Sequence, residues 1–131
     1  MVERNPVSIQ EAFEKVKFLE NRTPETSDVD AKEAFAKLSE YRDGGVFIAH
    51  YAGNSEWERH PKGDELVLVI EGETTLILLS DNVEASHKLG KHELLVVPKN
   101  IWHRFETPLG VKVMTVTPQP TDHSIERPKN T

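Results

Sequence analysis

The sequence YAGNSEWERHPKGDELVLVIEG, residues 51–72, joins a cluster of acidic and histidine side chains to a long apolar run. Glu58 and His60 stand two residues apart, so in an extended chain both point to the same side. A Pro-Lys-Gly-Asp turn follows and brings Glu65, at the start of the next strand, back toward them. The run Leu66–Ile70 consists of β-forming residues and predicts a strand that is buried on both faces.

These polar side chains lead directly into the buried strand, and their position predicts a metal site. A charged group against a dry core costs several kcal/mol unless it is paired or coordinated. One divalent cation satisfies the Glu58 and Glu65 carboxylates and the His60 imidazole together. All three residues are therefore candidate ligands.

A second stretch, Gly90–Thr107, repeats the combination of a strand, a turn and a histidine. Leu94–Val97 predicts another buried strand, Pro98–Asn100 a turn, and Ile101–Phe105 an alternating strand. His103 lies on this last strand and is a further candidate ligand. Two imidazoles with one or two carboxylates suit a divalent Fe, Mn, Zn, Ni or Cu ion, and ligand type alone does not choose among them.

At these residues the chain resembles the cupin superfamily, whose members are small antiparallel β-barrels that usually hold one metal. The first motif of that family is a glycine, two histidines that flank one residue, a glutamate and a closing glycine. Gly53, His60, Glu65 and Gly72 match it, and Glu58 stands where the first histidine is expected. A carboxylate at that position keeps a donor in place but makes the site harder and more negative.

The second cupin motif maps onto the stretch that carries His103. Gly90, Pro98 and His103 match it, Asn100 replaces a turn glycine, and Thr107 replaces an asparagine. Asparagine also adopts the left-handed turn conformation, so the turn is compatible with the motif. The resemblance implies a mainly β fold, an antiparallel cupin β-barrel of the jelly-roll (double-stranded β-helix) type.

The chain of 131 residues is predicted to form one domain in three segments. Residues 1–44 supply an N-terminal helix, a loop and a first strand, residues 45–117 form the barrel core, and residues 118–131 are a polar tail with a frayed end. A capping box at Ser8 and a helical apolar period predict the helix over residues 9–20.

The remaining chain predicts about eight short strands with turn signals between them. Residues 21–30 are polar and predict a loop, and the second half of residues 33–42 predicts a strand that enters a hairpin. Further strands are expected at 46–51, 74–79, 83–88 and 110–117, in addition to those named above.

Composition excludes several classes of function. The net charge of −6 argues against a nucleic-acid partner, and the absence of cysteine excludes disulfides and zinc–thiolate sites. No apolar run reaches the ~18 residues of a membrane span, and the N-terminus carries no signal-peptide pattern. The expectation is a cytoplasmic protein that is not membrane-bound.

The resemblance implies a small single-domain cupin that binds one divalent metal through His60, Glu65 and His103, with Glu58 or water completing the shell. An open position on that metal predicts a small-molecule oxygenase or isomerase. Two alternatives stay open: a non-catalytic ligand- or metal-binding module, and a degenerate barrel that keeps the fold without the metal.

The expected partners are a small-molecule ligand and a second copy of the chain. Phe47, His50, Tyr51 and Phe105 lie on strands of the predicted barrel and are candidates for the wall of a substrate pocket. Small members of the resembled family are often dimeric, so a homodimer is expected.

Overall fold

The computed structural model describes residues 5–129, so residues 1–4 and 130–131 of the predicted outer segments lie outside the described part. The helical elements are α1 (Ile9–Lys15), α2 (Asp28–Ala31) and one 3-10 turn (Lys32–Ala34). The strands are β1 (Leu19–Arg22), β2 (Phe35–Tyr41), β3 (Gly44–Asn54), β4 (Trp57–Arg59), β5 (Glu65–Gly72), β6 (Thr74–Ser80), β7 (Val83–Leu89), β8 (Leu94–Val97), β9 (Trp102–Pro118) and β10 (Asp122–Ser124).

Strand β9 is the central strand of the sheet, and its two halves pair with different strands. The first half pairs with β6 on one side and with β4 on the other. The second half pairs with β5 and β3. The sequence predicted two strands here, at 101–105 and 110–117, but they form one strand whose register against β3 shifts between Tyr51 and Gly53.

The core lies between these two halves of the sheet. Side chains from β3, β5, β6, β7, β8 and β9 contribute to one buried apolar cluster. Its members are Ala49, Tyr51, Val67, Val69, Leu76, Leu89, Val97, Phe105, Val111 and Val113. Since strands from both halves supply members, the inner faces of the two halves pack on each other.

The mainly β class with an N-terminal helix is confirmed, and two details of the expected barrel are corrected. β1 pairs with β3 in parallel, so the sheet is mixed rather than entirely antiparallel. The sheet is also not closed into a barrel. Among the described residues, β2, β7, β8 and β10 each pair with one neighbour only, so hydrogen bonding does not run around a full circle.

The prediction that β5 is buried on both faces is wrong, because only its inner face is covered. Val67 and Val69 are fully buried, whereas the side chains that point to the other face, Leu66, Leu68 and Ile70, are half-buried. The prediction of a buried strand at Leu94–Val97 is wrong for the same reason: on β8, Leu94 is 56% exposed and Val96 is 45% exposed. The outer face of this half of the sheet is therefore apolar and accessible.

The N-terminal helix is shorter than its apolar period predicts. The hydroxyl of Ser8 accepts a hydrogen bond from the backbone N–H of Glu11, as the capping box predicts. The helix ends at Lys15, and β1 follows where helix and loop were expected. β3 offers an edge that β2 leaves unpaired beyond residue 49, and backbone pairing along that edge outweighs the local helical pattern.

The C-terminal segment forms a strand, β10, where the sequence predicted only a polar tail, and the last two residues of the end predicted to fray lie outside the described part. β10 pairs antiparallel with β4, so that Asp122 lies opposite Arg59. Two N–H groups of the Arg59 guanidinium donate to one oxygen of Asp122, at 3.1 and 2.9 Å. This pairing places the preceding residue, Thr121, beside His60.

Candidate metal centre

Three buried side chains from different parts of the chain converge in the core. His60 follows β4, Glu65 begins β5, and His103 lies in the first half of β9. One donor atom from each lies within 4.8 Å of the donor atoms of the other two. The sequence singled out these three residues, and the fold brings them together.

The two turns predicted from sequence hold this group in place. The backbone N–H of Asn100 donates to the His60 carbonyl at 2.9 Å, and the N–H of Lys99 donates to the Asp64 carboxylate at 2.7 Å. Asn100 adopts the left-handed conformation, with φ of 65°, that its replacement of a turn glycine requires. The turn before Glu65 is thereby tied to the turn before His103.

Hydrogen bonds to the far side of the His103 ring determine which nitrogen faces the group. Nδ1 lies 2.9 Å from the carbonyl oxygen of Ile101, which accepts only, so Nδ1 carries the proton. In the neutral ring Nε2 then presents a lone pair, and it lies 3.0 Å from Oε1 of Glu65. Two acceptors face each other unless a proton or a cation lies between them.

The His60 ring is held in the same orientation by the C-terminal segment. The Thr121 hydroxyl donates to Oε1 of Gln119 at 3.2 Å, so at 3.0 Å from Nδ1 of His60 it accepts the ring proton. Nε2 of His60 again presents a lone pair, 3.4 Å from Oε2 of Glu65. This nitrogen is buried and has no hydrogen-bond partner.

Glu65 is ionised in this position despite its burial. Burial raises its pKa, but the adjacent imidazole rings of His103 and His60 outweigh burial and lower the pKa to about 2. The Thr117 hydroxyl donates to its Oε2 at 2.6 Å. Burial alone would lower the pKa of His103, but the neighbouring Glu65 carboxylate outweighs burial, so the pKa of His103 is raised above its ordinary value. Once both rings are neutral, two imidazole nitrogens and one carboxylate form a donor set that suits a divalent cation.

A cavity of about 460 Å³ opens beside this group and reaches the carboxylate of Glu65. Three of the predicted wall residues, Phe47, Tyr51 and Phe105, line it. Threonine side chains lie near Glu65, and aromatic side chains form much of the remaining wall. A small molecule in this cavity would therefore contact an apolar surface with its body and Glu65 of the His-Glu-His group with one end.

Two of the candidate residues do not lie where the sequence predicted them: His50 is outside the cavity, and Glu58 is outside the His-Glu-His group. His50 points away from the cavity, because the neighbouring Ala49 and Tyr51 on β3 point inward and alternate residues face opposite sides. Its ring packs instead on Phe18, with 4.7 Å between ring centroids. Glu58 lines the cavity opposite His103 but is not a member of the His-Glu-His group.

Sequence reasoning missed much of the site, including four residues with polar or aromatic contacts that shape it. They are Arg22 and Phe35, which line the cavity, and Thr117 and Thr121, which fix the orientations of Glu65 and His60. Arg22 and Thr121 lie in segments read as loop and tail, so no period or motif marked them. The alternation of Thr115 and Thr117 along a predicted strand was the one available signal, because both would share a face with its buried residues.

The sequence profile of the cupin domain matches residues 46–117, more than half of the chain. The chain belongs to the cupin family. The Bacillus subtilis protein YdbB, itself uncharacterized, is 31% identical over 86 residues, which cover 66% of this chain and 74% of YdbB.

Two solved structures illustrate the shared cupin fold. A cupin-2 domain protein from Shewanella frigidimarina superimposes with a TM-score of 0.56 at 24% identity, over 65% of this chain and 79% of that one. Hydroquinone 1,2-dioxygenase PnpCD, solved with Cd2+ and 4-hydroxybenzonitrile, has a TM-score of 0.54 at 18% identity, over 64% and 63% of the two chains. At these identities the likeness shows the fold alone.

One residue that departs from the family motifs, Thr107, and one that matches them, Gly53, both have a clear local environment in this cupin. Thr107 replaces an asparagine and is fully buried, where its hydroxyl pairs with that of Thr74. Gly53 is retained because a Cβ there would lie 2.1 Å from the carbonyl oxygen of Arg22, and its φ is 115°.

Across residues 5–129, none of this cupin's helices has the length and apolar character needed to cross a membrane.

Proposed function

We propose that this cupin is a metal-dependent oxygenase of small molecules, with one divalent ion held by His60, Glu65 and His103. The observation that carries the proposal is the convergence of two imidazoles and one carboxylate in one buried group, whose Glu65 lines a cavity. Two histidines and one carboxylate with open positions are typical of non-haem Fe(II) oxygenases. Bound there, Fe(II) would supply the activation of dioxygen that such reactions need.

The chain's own residues hold the donors and shape the reaction space. The Ile101 carbonyl and the Thr121 hydroxyl fix the two imidazole tautomers, and Thr117 fixes the carboxylate. Such outer contacts tune ligand basicity and orientation. Phe47 and Phe105 line the cavity and limit the water that reaches a bound substrate. A hydroquinone dioxygenase with this fold shows that the fold accommodates such chemistry, while the proposal depends on the site.

Dioxygen consumption tests the proposal. Untagged protein, loaded anaerobically with Fe(II) or with Zn(II), is mixed with small phenols, enols and hydroxy acids in an oxygen electrode. We expect consumption that requires both Fe(II) and an organic substrate, and that is absent with Zn(II), because Zn(II) has no redox chemistry. Metal and small-molecule binding without any turnover would contradict the oxygenase and support the non-catalytic binding alternative.

We also propose that the protein is a homodimer through the outer face of β5 and β8. In the pairing register Leu66 lies beside Val96 and Leu68 beside Leu94, which forms an apolar surface. Contiguous exposed apolar surface marks an interaction site. A second copy is the partner that fits, because an uncharged apolar face is complementary to itself and carries no like charges that would repel a copy of the chain.

Light scattering after gel filtration tests this interface. We expect wild-type protein to elute as a dimer and Leu94→Asp as a folded monomer, because the aspartate places two like charges across the two-fold axis. Leu109→Asp is the control, since Leu109 is exposed and lies away from β8. A wild-type monomer, or a Leu94→Asp dimer as tight as wild type, would contradict the interface.

A further inference from the structure

Arg22 is a largely buried cation in the cavity wall. Its side chain is 13% exposed, and Arg side chains are rarely so buried without a partner. Its nearest carboxylate oxygen among residues 5–129, Oε1 of Glu58, is 4.0 Å away. That distance is too long for a hydrogen bond, so Glu58 balances part of the charge without filling the donor capacity of the guanidinium.

Aromatic rings hold the guanidinium by its flat face. Its central carbon lies 4.5 Å from the ring centroid of Tyr51 and 5.1 Å from that of Phe35. Stacking uses the face of the group, and one in-plane N–H also donates to the Tyr51 hydroxyl, so the remaining N–H groups are left for other hydrogen bonds. Burial raises the pKa of Tyr51 to about 12, so the phenol stays neutral and does not cancel the charge of Arg22.

The backbone is adapted to place Arg22 at the cavity. In the parallel pairing of β1 with β3, Arg22 lies opposite Gly53. The two backbones approach so closely that any side chain at Gly53 would overlap the Arg22 carbonyl. β1 can therefore approach β3 this closely only because residue 53 is a glycine, and this approach places the Arg22 cation in the cavity wall.

The charges of the cavity favour a monoanion. Its charged lining consists of the Arg22 guanidinium and the Glu58 and Glu65 carboxylates, and the His123 ring is paired with Glu56, 2.6 Å away. With a divalent ion on the His-Glu-His group, one positive charge remains. A carboxylate neutralises that charge, whereas a phosphate monoester, with a charge near −2, would exceed it.

We propose that the substrate is a small carboxylic acid with an aromatic or other apolar body, and that Arg22 binds its carboxylate. The body lies against Phe47 and Phe105, and the opposite end faces the His-Glu-His group. Arg22 suits this role because its fork matches a carboxylate with two parallel hydrogen bonds. The inference rests on the proposed metal site, because the metal supplies part of the net charge.

Binding of acids and of their neutral amides tests the inference. Zn(II)-loaded protein is titrated calorimetrically with benzoate, phenylacetate and cyclohexanecarboxylate, and with the primary amide of each. We expect wild type to bind at least one acid roughly 10- to 100-fold more tightly than its amide, which is the difference that hydrogen bonds to a charged group make. If no acid binds more tightly than its amide, the inference is overturned.

Variants assign the preference to Arg22. Arg22→Gln should lose the preference for the acid, and Arg22→Lys should retain part of it, because lysine keeps the charge without the fork. Arg104→Gln is the matched control, since Arg104 also stacks on an aromatic ring, that of Trp57, but does not line the cavity. An acid preference that persists in Arg22→Gln would place the carboxylate on the metal and overturn the inference.

Two further measurements separate this inference from the proposed function. Glu58→Gln removes the carboxylate that neighbours Arg22, so it should strengthen binding of the acid while leaving the amide unchanged. Weaker binding of the acid in Glu58→Gln would contradict the role of Arg22. The number of zinc ions bound per chain is measured in every variant. A wild-type protein that binds no zinc would contradict the metal site, whereas a protein that binds zinc but shows no preference for the acid would contradict only the substrate class.

Discussion

Replacement of His103 by alanine is expected to abolish stoichiometric binding of Zn(II) or Mn(II). Loss of an outer hydrogen bond to a metal ligand typically costs 10- to 100-fold in affinity, and loss of the ligand itself should cost more. The metal also stabilises the fold, by about 2.7 kcal/mol when its concentration is 100 times the dissociation constant. Chelator should therefore lower the melting temperature of wild type and leave that of His103→Ala unchanged, as measured by calorimetry.

Matched substitutions separate the metal site from the rest of the chain. His87→Ala removes an exposed histidine of β7 and should bind metal as wild type does. Glu58→Gln should change the affinity little, because Glu58 lies outside the His-Glu-His group. Equal affinity in wild type and His103→Ala would end the metal interpretation. A loss in Glu58→Gln as large as that in His103→Ala would make Glu58 a ligand.

Metal affinity should also depend on pH. The ring of His103 must be neutral to bind a metal, and Glu65 raises its pKa and so favours the imidazolium. Affinity should therefore fall as the pH drops through that raised pKa, and metal binding at lower pH should release protons. Titrations in buffers of different ionisation enthalpy measure the protons released, and an affinity that is independent of pH between 5 and 8, the range where histidine titrates, would contradict this assignment.

The second large effect is expected from Val67→Asp, which should unfold the domain. Val67 is fully buried, and removing its side chain from the core costs about 1.5–3 kcal/mol. The unpaired carboxylate adds several kcal/mol, and the total approaches the 5–15 kcal/mol that stabilises a typical domain. Far-ultraviolet circular dichroism and denaturant titration measure the loss.

Val83→Asp is the control for that substitution. It makes the same chemical change on β7, where Val83 is 67% exposed, so the free energy of unfolding should change little. Val67→Ala provides a graded variant that should stay folded and lose about 1.5–3 kcal/mol. A Val67→Asp protein with the stability of Val83→Asp would show that the inner face of β5 is not the core.

The sequence predicted most of the longer strands and the convergence of His60, Glu65 and His103, because both depend on local signals. The turns before Glu65 and His103 have recognisable residues, and spacing within each motif fixed which side chains would converge. The burial of β5 was misjudged because an unbroken apolar run reports that both faces are apolar, not that both are covered. Leu94 and Val96 show the difference: their side chains are apolar and exposed.

Residues that depend on non-local pairing could not be predicted. Arg22 enters the cavity only because β1 pairs with an edge of β3, and Thr121 reaches His60 only because β10 pairs with β4. Neither short strand has an alternating pattern of its own. Such segments take their structure from the edge that they join, and that edge exists only in the folded sheet.

X-ray absorption at the zinc edge of protein loaded with one equivalent of Zn(II) tests the metal site most directly. We expect imidazole scattering from two histidines and nitrogen or oxygen neighbours at about 2.0–2.2 Å. In a protein with both His60→Ala and His103→Ala the imidazole signal should disappear. A wild-type spectrum without imidazole, or an imidazole signal unchanged in the double variant, would contradict a metal centre built from His60, Glu65 and His103.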